Sequence, residues 1–296
     1  MPISEQKSNA EASISPFDDI LDIPKETLGN IDSFKNRYLG ATLKLLYTKH
    51  PELRDDIDEE LKNAFSNRKN DKVQHLIEEA DFPLYPNHYR LDDFDPSCLK
   101  EEERTTYNDL IKLDFMTSDC PNVTLYGPEI YGSEKLASGL GDALCKQLYT
   151  VSYIKYSSLI GMLGVHTVNS TMNKLYDKLI KQDCLIIQDF AGEAVVDRDL
   201  LSELYTFLDT RVSNHRNSFS KAIKGGIGHF KPSATIVTSC RKYEEWYEVF
   251  DCDYQKATSI ISFFHGYGCK LTIDEFRPKE EEKPSEATSS PIPSES

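Results

Sequence analysis

Asn122-Val-Thr-Leu-Tyr-Gly-Pro-Glu-Ile-Tyr-Gly-Ser-Glu-Lys-Leu-Ala137 is the stretch that decides the fold. Val123-Thr-Leu-Tyr126 reads as a short buried strand, and Gly127-Pro128 opens a turn. A helix is expected from Glu134 to Leu148. The loop between carries two glycines five apart, Gly127 and Gly132, with Pro128, Glu129, Ile130 and Tyr131 between them. Strand, glycine loop, helix is the layout of a phosphate-binding loop. In such a loop the backbone N–H groups and the helix N-terminus cradle phosphate oxygens. A lysine after the second glycine reaches the terminal phosphates, and the next Ser or Thr holds Mg²⁺. Here Ser133 stands in the lysine's place and Glu134 in that of the Ser or Thr. Alone, the pattern fits an ordinary strand-to-helix turn as well.

The neighbouring sequence places the loop in an alternating α/β region. Strands are expected at Thr150–Tyr156, Cys184–Ile187, Ala234–Thr238 and Lys270–Ile273. Helices are expected through Thr171–Ile180 and Leu200–Arg211. Cys184-Leu-Ile-Ile187 shows no alternation of apolar and polar residues, as expected where helices cover both faces of a parallel sheet. Ser213–Pro232 is polar, contains Gly225, Gly226 and Gly228, and is expected to be an exposed loop. Its Lys221, Lys224, His229 and Lys231 form the best local basic segment, a candidate for contact with DNA, although an ordinary solvated loop fits as well.

Upstream, Phe34, Tyr38, Leu39, Thr42, Leu45 and Leu46 recur at helical spacing, with Asp32 as N-cap and Pro51 as stop. Asp55–Ala80 is a second, highly charged helix. Asp81-Phe-Pro-Leu-Tyr-Pro86 cannot be regular helix, because its prolines fix φ and remove donors. Leu91, Phe94 and Pro96 are expected to pack as an extended segment, and residues 99–118 to form another helix. The expected organisation is a mobile segment at 1–30, in which Ile14, Phe17, Ile20 and Leu21 suit a short docking element. A helical module and linker follow at 31–98, then an α/β core at 99–277 and a mobile acidic tail at 278–296.

Composition narrows the function classes. A net charge of −15 argues against strong autonomous DNA binding, which needs a positive surface to displace counterions. No run of about 18 apolar residues is present, so no membrane span is expected. The seven cysteines show no C-x-x-C spacing. With a polar N-terminus that lacks the features of a secretory signal, they read as reduced thiols in a cytoplasm. No metal site is expected, and His166, His215, His229 and His265 are expected at the surface. Trp246, Tyr243, Tyr247 and Phe250 are expected in the core rather than stacked on bases.

From about Ala80 to Ile273 the chain resembles the IstB/DnaC-like ATP-binding proteins. The resemblance runs through Glu79-Ala-Asp-Phe-Pro83, Leu91-Asp-Asp-Phe94, Leu113-Asp-Phe115, Asn122–Pro128, Lys135-Leu-Ala137 and Leu140-Gly141. It continues in Asp183–Phe190, Thr235–Ser239, Glu245-Trp246 and Glu248-Val-Phe250. It implies a three-layer α/β/α P-loop NTPase core of the AAA+ type with a mostly parallel sheet, after a small helical module. It also implies ATP and Mg²⁺ as ligands, self-assembly, and action on DNA beside a transposase or a replicative helicase. The departures fall on chemical positions. Gln188 replaces the Mg²⁺-linked aspartate, and Asp189 keeps the acidic position near the attacking water. Cys240 replaces the polar sensor residue, and Ser262 and Phe263 replace an Asp-Arg pair. Arg211 is a candidate for the arginine that contacts a neighbour's nucleotide, with Arg216 as the other choice.

Lys135 cannot stand in for the missing lysine. Two residues along a helix turn by about 200°, which points it away from the loop. Glu134 puts a carboxylate where the helix dipole would favour phosphate. Hydrolysis is therefore expected to be weak or absent. A nucleotide-independent scaffold that keeps only the fold is the alternative, and an active ATPase using unusual residues a third reading.

Overall fold

The structure is a computed structural model that describes Thr27, Gly29, Ile31 and residues 37–127, 132–195, 197–225, 230–266 and 268–273. The chain forms two compact units divided between Lys72 and Val73. In the first, α1 (Arg37–Lys49) and the start of α2 (Arg54–Glu79) are joined by a turn at Pro51–Leu53. Ile31 and Tyr47 are buried there, and Thr27 and Tyr47 both donate hydroxyls to Asp58. The helix stop at Pro51 is as expected. Asp32 and the apolar residues at positions 14–21 lie outside the described residues.

The second unit contains the end of α2, α3 (Glu101–Leu110), β1 (Asn122–Tyr126), α4 (Ser133–Lys146), β2 (Val151–Lys155) and α5 (Tyr156–Leu163). It continues with α6 (Ser170–Lys181), β3 (Cys184–Gln188), α7 (Arg198–Gly225), β4 (Ala234–Ser239), α8 (Tyr243–Val249), α9 (Tyr254–His265) and β5 (Gly268–Thr272). The five strands form one sheet in the order β2-β3-β4-β1-β5, and every pairing is parallel. Side chains alternate between two cores, one on each face. Cys184 and Ile186 of β3 join Leu136, Leu140 and Leu144 of α4 on one side. Leu185 and Ile187 join Leu204, Phe207, Trp246 and Phe264 on the other. The near-continuous apolar strands thus follow from burial on both faces. The result is the expected three-layer α/β/α core with a parallel sheet.

Three expectations are corrected. The core unit begins at Val73 rather than 99, because Val73, Leu76, Ile77, Ala80, Phe82 and Phe94 bury in the same cluster as the strands. Ala80 C=O even accepts from Tyr153 N–H of the edge strand β2, at 2.7 Å. The segment 86–94 is held on α4 by polar contacts: His88 pairs with buried Asp142 at 3.0 Å, and Ser138 donates to Tyr89 C=O. The helix expected over 99–118 ends at Leu110, where Leu113 turns to a φ of 64°. The loop expected over 213–232 is helical as far as Gly225, because Val212 and His215 are buried and continue the packed face of α7.

Candidate functional site

The glycine loop, β3 and β4 meet at the carboxyl ends of the strands, the edge where open α/β sheets bind ligands. Gly127 N–H donates to Ser239 C=O at 3.1 Å, which brings the loop's first residue against the end of β4. Asp189 N–H donates to the Thr238 hydroxyl at 3.0 Å, and Phe190 N–H to Thr238 C=O at 2.8 Å, which stitches the end of β3 to β4. Asp189 has a left-handed φ of 54°, a conformation that aspartate tolerates better than most residues. Cys240 follows β4 at the surface with its Sγ 3.8 Å from the Asp189 carboxylate. Burial first, and then the Asp189 charge, raise the Cys240 thiol pKa. Gln188 is buried at the end of β3. The structure thus brings Gly127, Gln188, Asp189 and Cys240 to adjacent strand ends.

The two loop glycines are required by the backbone. Gly127 has a φ of 149°, and a Cβ there would lie 2.6 Å from Ile273 C=O. Gly132, the N-cap of α4, has a φ of 110°, and a Cβ there would meet the Phe94 ring at 3.2 Å. The Phe94 ring of the linker therefore lies against Gly132 at the start of α4. The expectations for Pro128, Glu129, Ile130 and Tyr131 lie outside the described residues.

Ser133 and Gln188 carry no charge at the two positions where the resemblance puts a lysine and an aspartate. Ser133 is buried, and its hydroxyl donates to Gly127 C=O at 3.3 Å. Lys135 Nζ lies 5.3 Å from the centre of the Tyr89 ring. Glu134 places a carboxylate in the first turn of α4, where the helix dipole is positive. Gln188 brings no negative charge to a cation. Among the described residues, no group of three or more His, Cys, Asp or Glu side chains is arranged to hold a metal ion. Ser133 and Gln188 therefore do not supply the lysine charge or the metal-linked carboxylate that Mg²⁺-assisted phosphoryl transfer uses.

Arg211 is corrected outright. It is fully buried, and its guanidinium donates to Leu179 C=O at 2.6 Å, Gln182 C=O at 3.2 Å, Ala234 C=O and the Thr235 hydroxyl. Burial lowers its pKa to about 10, which leaves it charged at neutral pH. It ties α6, β4 and α7 together inside one chain and is not exposed to a neighbour's nucleotide. Lys221 and Lys224 are exposed on the last turns of α7, and Lys231 is exposed before β4, so the proposed basic loop is largely a helix face. His166 and His215 are buried rather than at the surface, His265 is exposed, and His229 lies outside the described residues. Trp246 and Phe250 are core residues, as expected. Phe263 is buried and stacks on Tyr205, so no arginine stands at that position on α9.

The fold and this edge define a P-loop type α/β core with altered charged positions. The family model described as IstB-like ATP binding protein matches residues 49–275, and the chain belongs to that family. Over 107 residues it is 24% identical to an insertion sequence IS1162 ATP-binding protein of Pseudomonas fluorescens. That alignment covers 36% of this chain and 46% of the relative, so the chain spans less than half the length of this curated relative. A crystal structure of DnaI is similar with a TM-score of 0.48 and 16% identity, covering 63% of this chain and 88% of that one. The AMPPCP-bound DnaA of Aquifex aeolicus is similar with a TM-score of 0.47 and 20% identity, covering 65% of this chain and 51% of that one. No helix among the described residues is long and apolar enough to cross a membrane.

Proposed function

We propose that this chain is an IstB-like helper of DNA transposition or replication that works by assembly and partner engagement, with ATP hydrolysis weak or absent. The observation that carries this reading is the loop chemistry. Ser133 replaces a lysine and turns its hydroxyl onto Gly127, beside the Glu134 carboxylate and within the same strand-end edge as Gln188. ATP, when bound in such a family, supplies a phosphate ligand that links subunits. In this chain Gly127, Gly132 and the α4 N-terminus are the groups assigned to receive it. The partners that fit are a transposase or a replicative helicase, together with DNA, in the cytoplasm. Exposed Lys221, Lys224 and Lys231 are the residues assigned to DNA. Unchanged DNA affinity after replacing all three by Glu would remove that assignment.

The Ser133–Gly127 bond also supports the second reading, a scaffold that needs no nucleotide. Binding of a fluorescent ATP analogue, with and without Mg²⁺, separates the two. The comparison is the variant Ser133→Lys, Glu134→Thr, Gln188→Asp. Binding by the natural chain without turnover supports the first reading. Gain of binding only in the variant supports the scaffold. Robust Mg²⁺-dependent turnover by the natural chain sinks both.

A further inference from the structure

At the end of the sheet opposite the glycine loop, α6, α7 and the start of β4 enclose a cavity of about 230 Å³. Its polar lining is Lys181, Gln182, Asn214, Ser218, Lys231 and Ser233, and none of the described residues lining it is acidic. In a chain of net charge −15, two lysines around a cavity without a carboxylate reverse the sign locally. Gln182 and Ser233 precede β3 and β4, so the cavity lies at the amino ends of the strands. A strand of five residues sets it ~17 Å from the edge that holds Gly127 and Gln188.

The lining is arranged to donate. Ser233 is 4% exposed, and its hydroxyl oxygen is buried without a hydrogen-bond partner among the described residues. A buried hydroxyl left so is costly, and a ligand that accepts from it recovers that cost. The residue itself is fixed, because Ser233 N–H donates to His215 Nδ1 at 3.2 Å. Ser218 Oγ accepts from Lys231 N–H at 2.6 Å, which holds Lys231 beside α7 and leaves the Ser218 proton to donate. Carbonyls at the C-terminal end of α6 would repel an anion. Here Leu179, Ile180 and Gln182 C=O all accept from Arg211 Nη1, at 2.6, 3.5 and 3.2 Å. Among the described residues every acceptor of Arg211 is neutral, so its buried charge adds to those of Lys181 and Lys231. Asp183, the acid next to Gln182, turns its carboxylate to the Thr150 N–H and hydroxyl, at 2.8 Å each.

We propose that this cavity is a second anion site, which binds inorganic phosphate or a small phosphomonoester. Lys181 and Lys231 pair with the phosphate charge, the Ser233 and Ser218 hydroxyls donate to its oxygens, and the Asn214 and Gln182 amides complete the set. The donors come from α6, α7 and the residues before β4, so they approach from several sides. A monoester presents three acceptor oxygens to such a set. A diester in a nucleic-acid strand presents fewer, and its flanking sugars compete for the space beside the buried Ser233. The bound ligand ties the end of α6 to α7 and β4. The inference does not depend on the reading given to the glycine loop.

Thermal melts of the full chain in chloride buffer, with inorganic phosphate added at constant ionic strength, test this. The melting temperature is expected to rise with phosphate as a single site fills. Isothermal titration gives the affinity. Lys181→Gln with Lys231→Gln is expected to weaken it about tenfold or more. Ser233→Ala is expected to weaken it several-fold, yet to melt no lower than the natural chain without phosphate, because its hydroxyl has no bond to lose. A serine with a merely structural role would show the reverse. Ribose 5-phosphate is expected to bind through the same residues, and the tighter of the two probes identifies the source. Absence of a saturable response overturns the proposal. A response that these variants leave unchanged also overturns it, because phosphate then binds elsewhere, as at the glycine loop. A thymidine oligonucleotide that binds through the same lysines more tightly per phosphate than either probe overturns it as well, in favour of a nucleic-acid contact.

Discussion

The Ser133 hydroxyl donates to the Gly127 carbonyl oxygen at 3.3 Å and so joins the two ends of the glycine loop. In a working phosphate loop the residue at this position extends a cation toward the ligand. Here it makes a short internal tie instead. Ser133→Ala removes one partly buried hydrogen bond and is expected to cost about 1 kcal/mol of stability. Ser133→Lys alone is expected not to produce turnover, because Glu134 and Gln188 remain. Thermal melts and a coupled phosphate-release assay check both. Turnover in the single variant would mean that Ser133 alone blocks the chemistry.

Arg211 separates a structural arginine from a catalytic one. Its donors reach Leu179, Gln182 and Ala234 carbonyls and the Thr235 hydroxyl from a fully buried position. Arg211→Met leaves those acceptors without their donor and is expected to destabilise the chain by about 3 kcal/mol. Urea unfolding measures this. A residue acting on a neighbour's nucleotide would show the opposite pattern, with unchanged unfolding and altered nucleotide-dependent assembly.

The 3.8 Å approach of Cys240 Sγ to the Asp189 carboxylate has a chemical readout. Burial and the adjacent negative charge raise the thiol pKa, so Cys240 holds less thiolate at a given pH than an ordinary cysteine. Cys240 is expected to be alkylated slowly by iodoacetamide at mildly alkaline pH despite its exposure. Asp189→Asn is expected to speed it several-fold, because the carboxylate charge is removed while the side chain's size is kept. Peptide-resolved mass spectrometry follows the rate. An unchanged rate would mean that the carboxylate does not govern this thiol.

The sequence made the sheet legible because parallel strands buried on both faces are short apolar runs. Val123-Thr-Leu-Tyr126, Cys184-Leu-Ile-Ile187 and Ala234-Thr-Ile-Val-Thr238 were placed within a residue or two of β1, β3 and β4. The end of β1 and the start of α4 on either side of the two glycines were legible from their spacing. The last half of α7 was not. Its packed face is built partly from Arg211 and His215, which are buried but polar, so apolar periodicity stops at Val212 and the serines and asparagines beyond read as loop. The same cause misplaced Arg211 and the two buried histidines. Polar residues report burial through their partners, which are distant in sequence: Ser118 for His215, and Leu179 for Arg211. The start of the core was misplaced because Val73, Leu76 and Ile77 belong to a helix whose earlier turns are strongly polar.

His215 supplies a pH dependence with a definite sign. Its Nε2 lies 2.7 Å from Ser118 C=O, and Ser233 N–H donates to its Nδ1 at 3.2 Å. Both contacts are satisfied by the neutral ring that carries its proton on Nε2. Protonating Nδ1 would set two N–H groups against each other and would place a charge among Phe219 and Phe230. Burial lowers the pKa, and the nearby Arg211 charge acts in the same direction. The Ser118 carbonyl and Asp119 act against them. The unfolded chain therefore binds the proton more readily than the folded one. The stability that this ring contributes is fully present above the unfolded pKa of about 6.5 and is lost as pH falls below it toward the folded value. The slope from one such group is at most about 1.4 kcal/mol per pH unit. Urea midpoints of the natural chain are expected to fall between neutral and mildly acidic pH. His215→Gln is expected to be less stable at neutral pH and to show a shallower fall. An equal slope in the variant would assign the dependence to other groups.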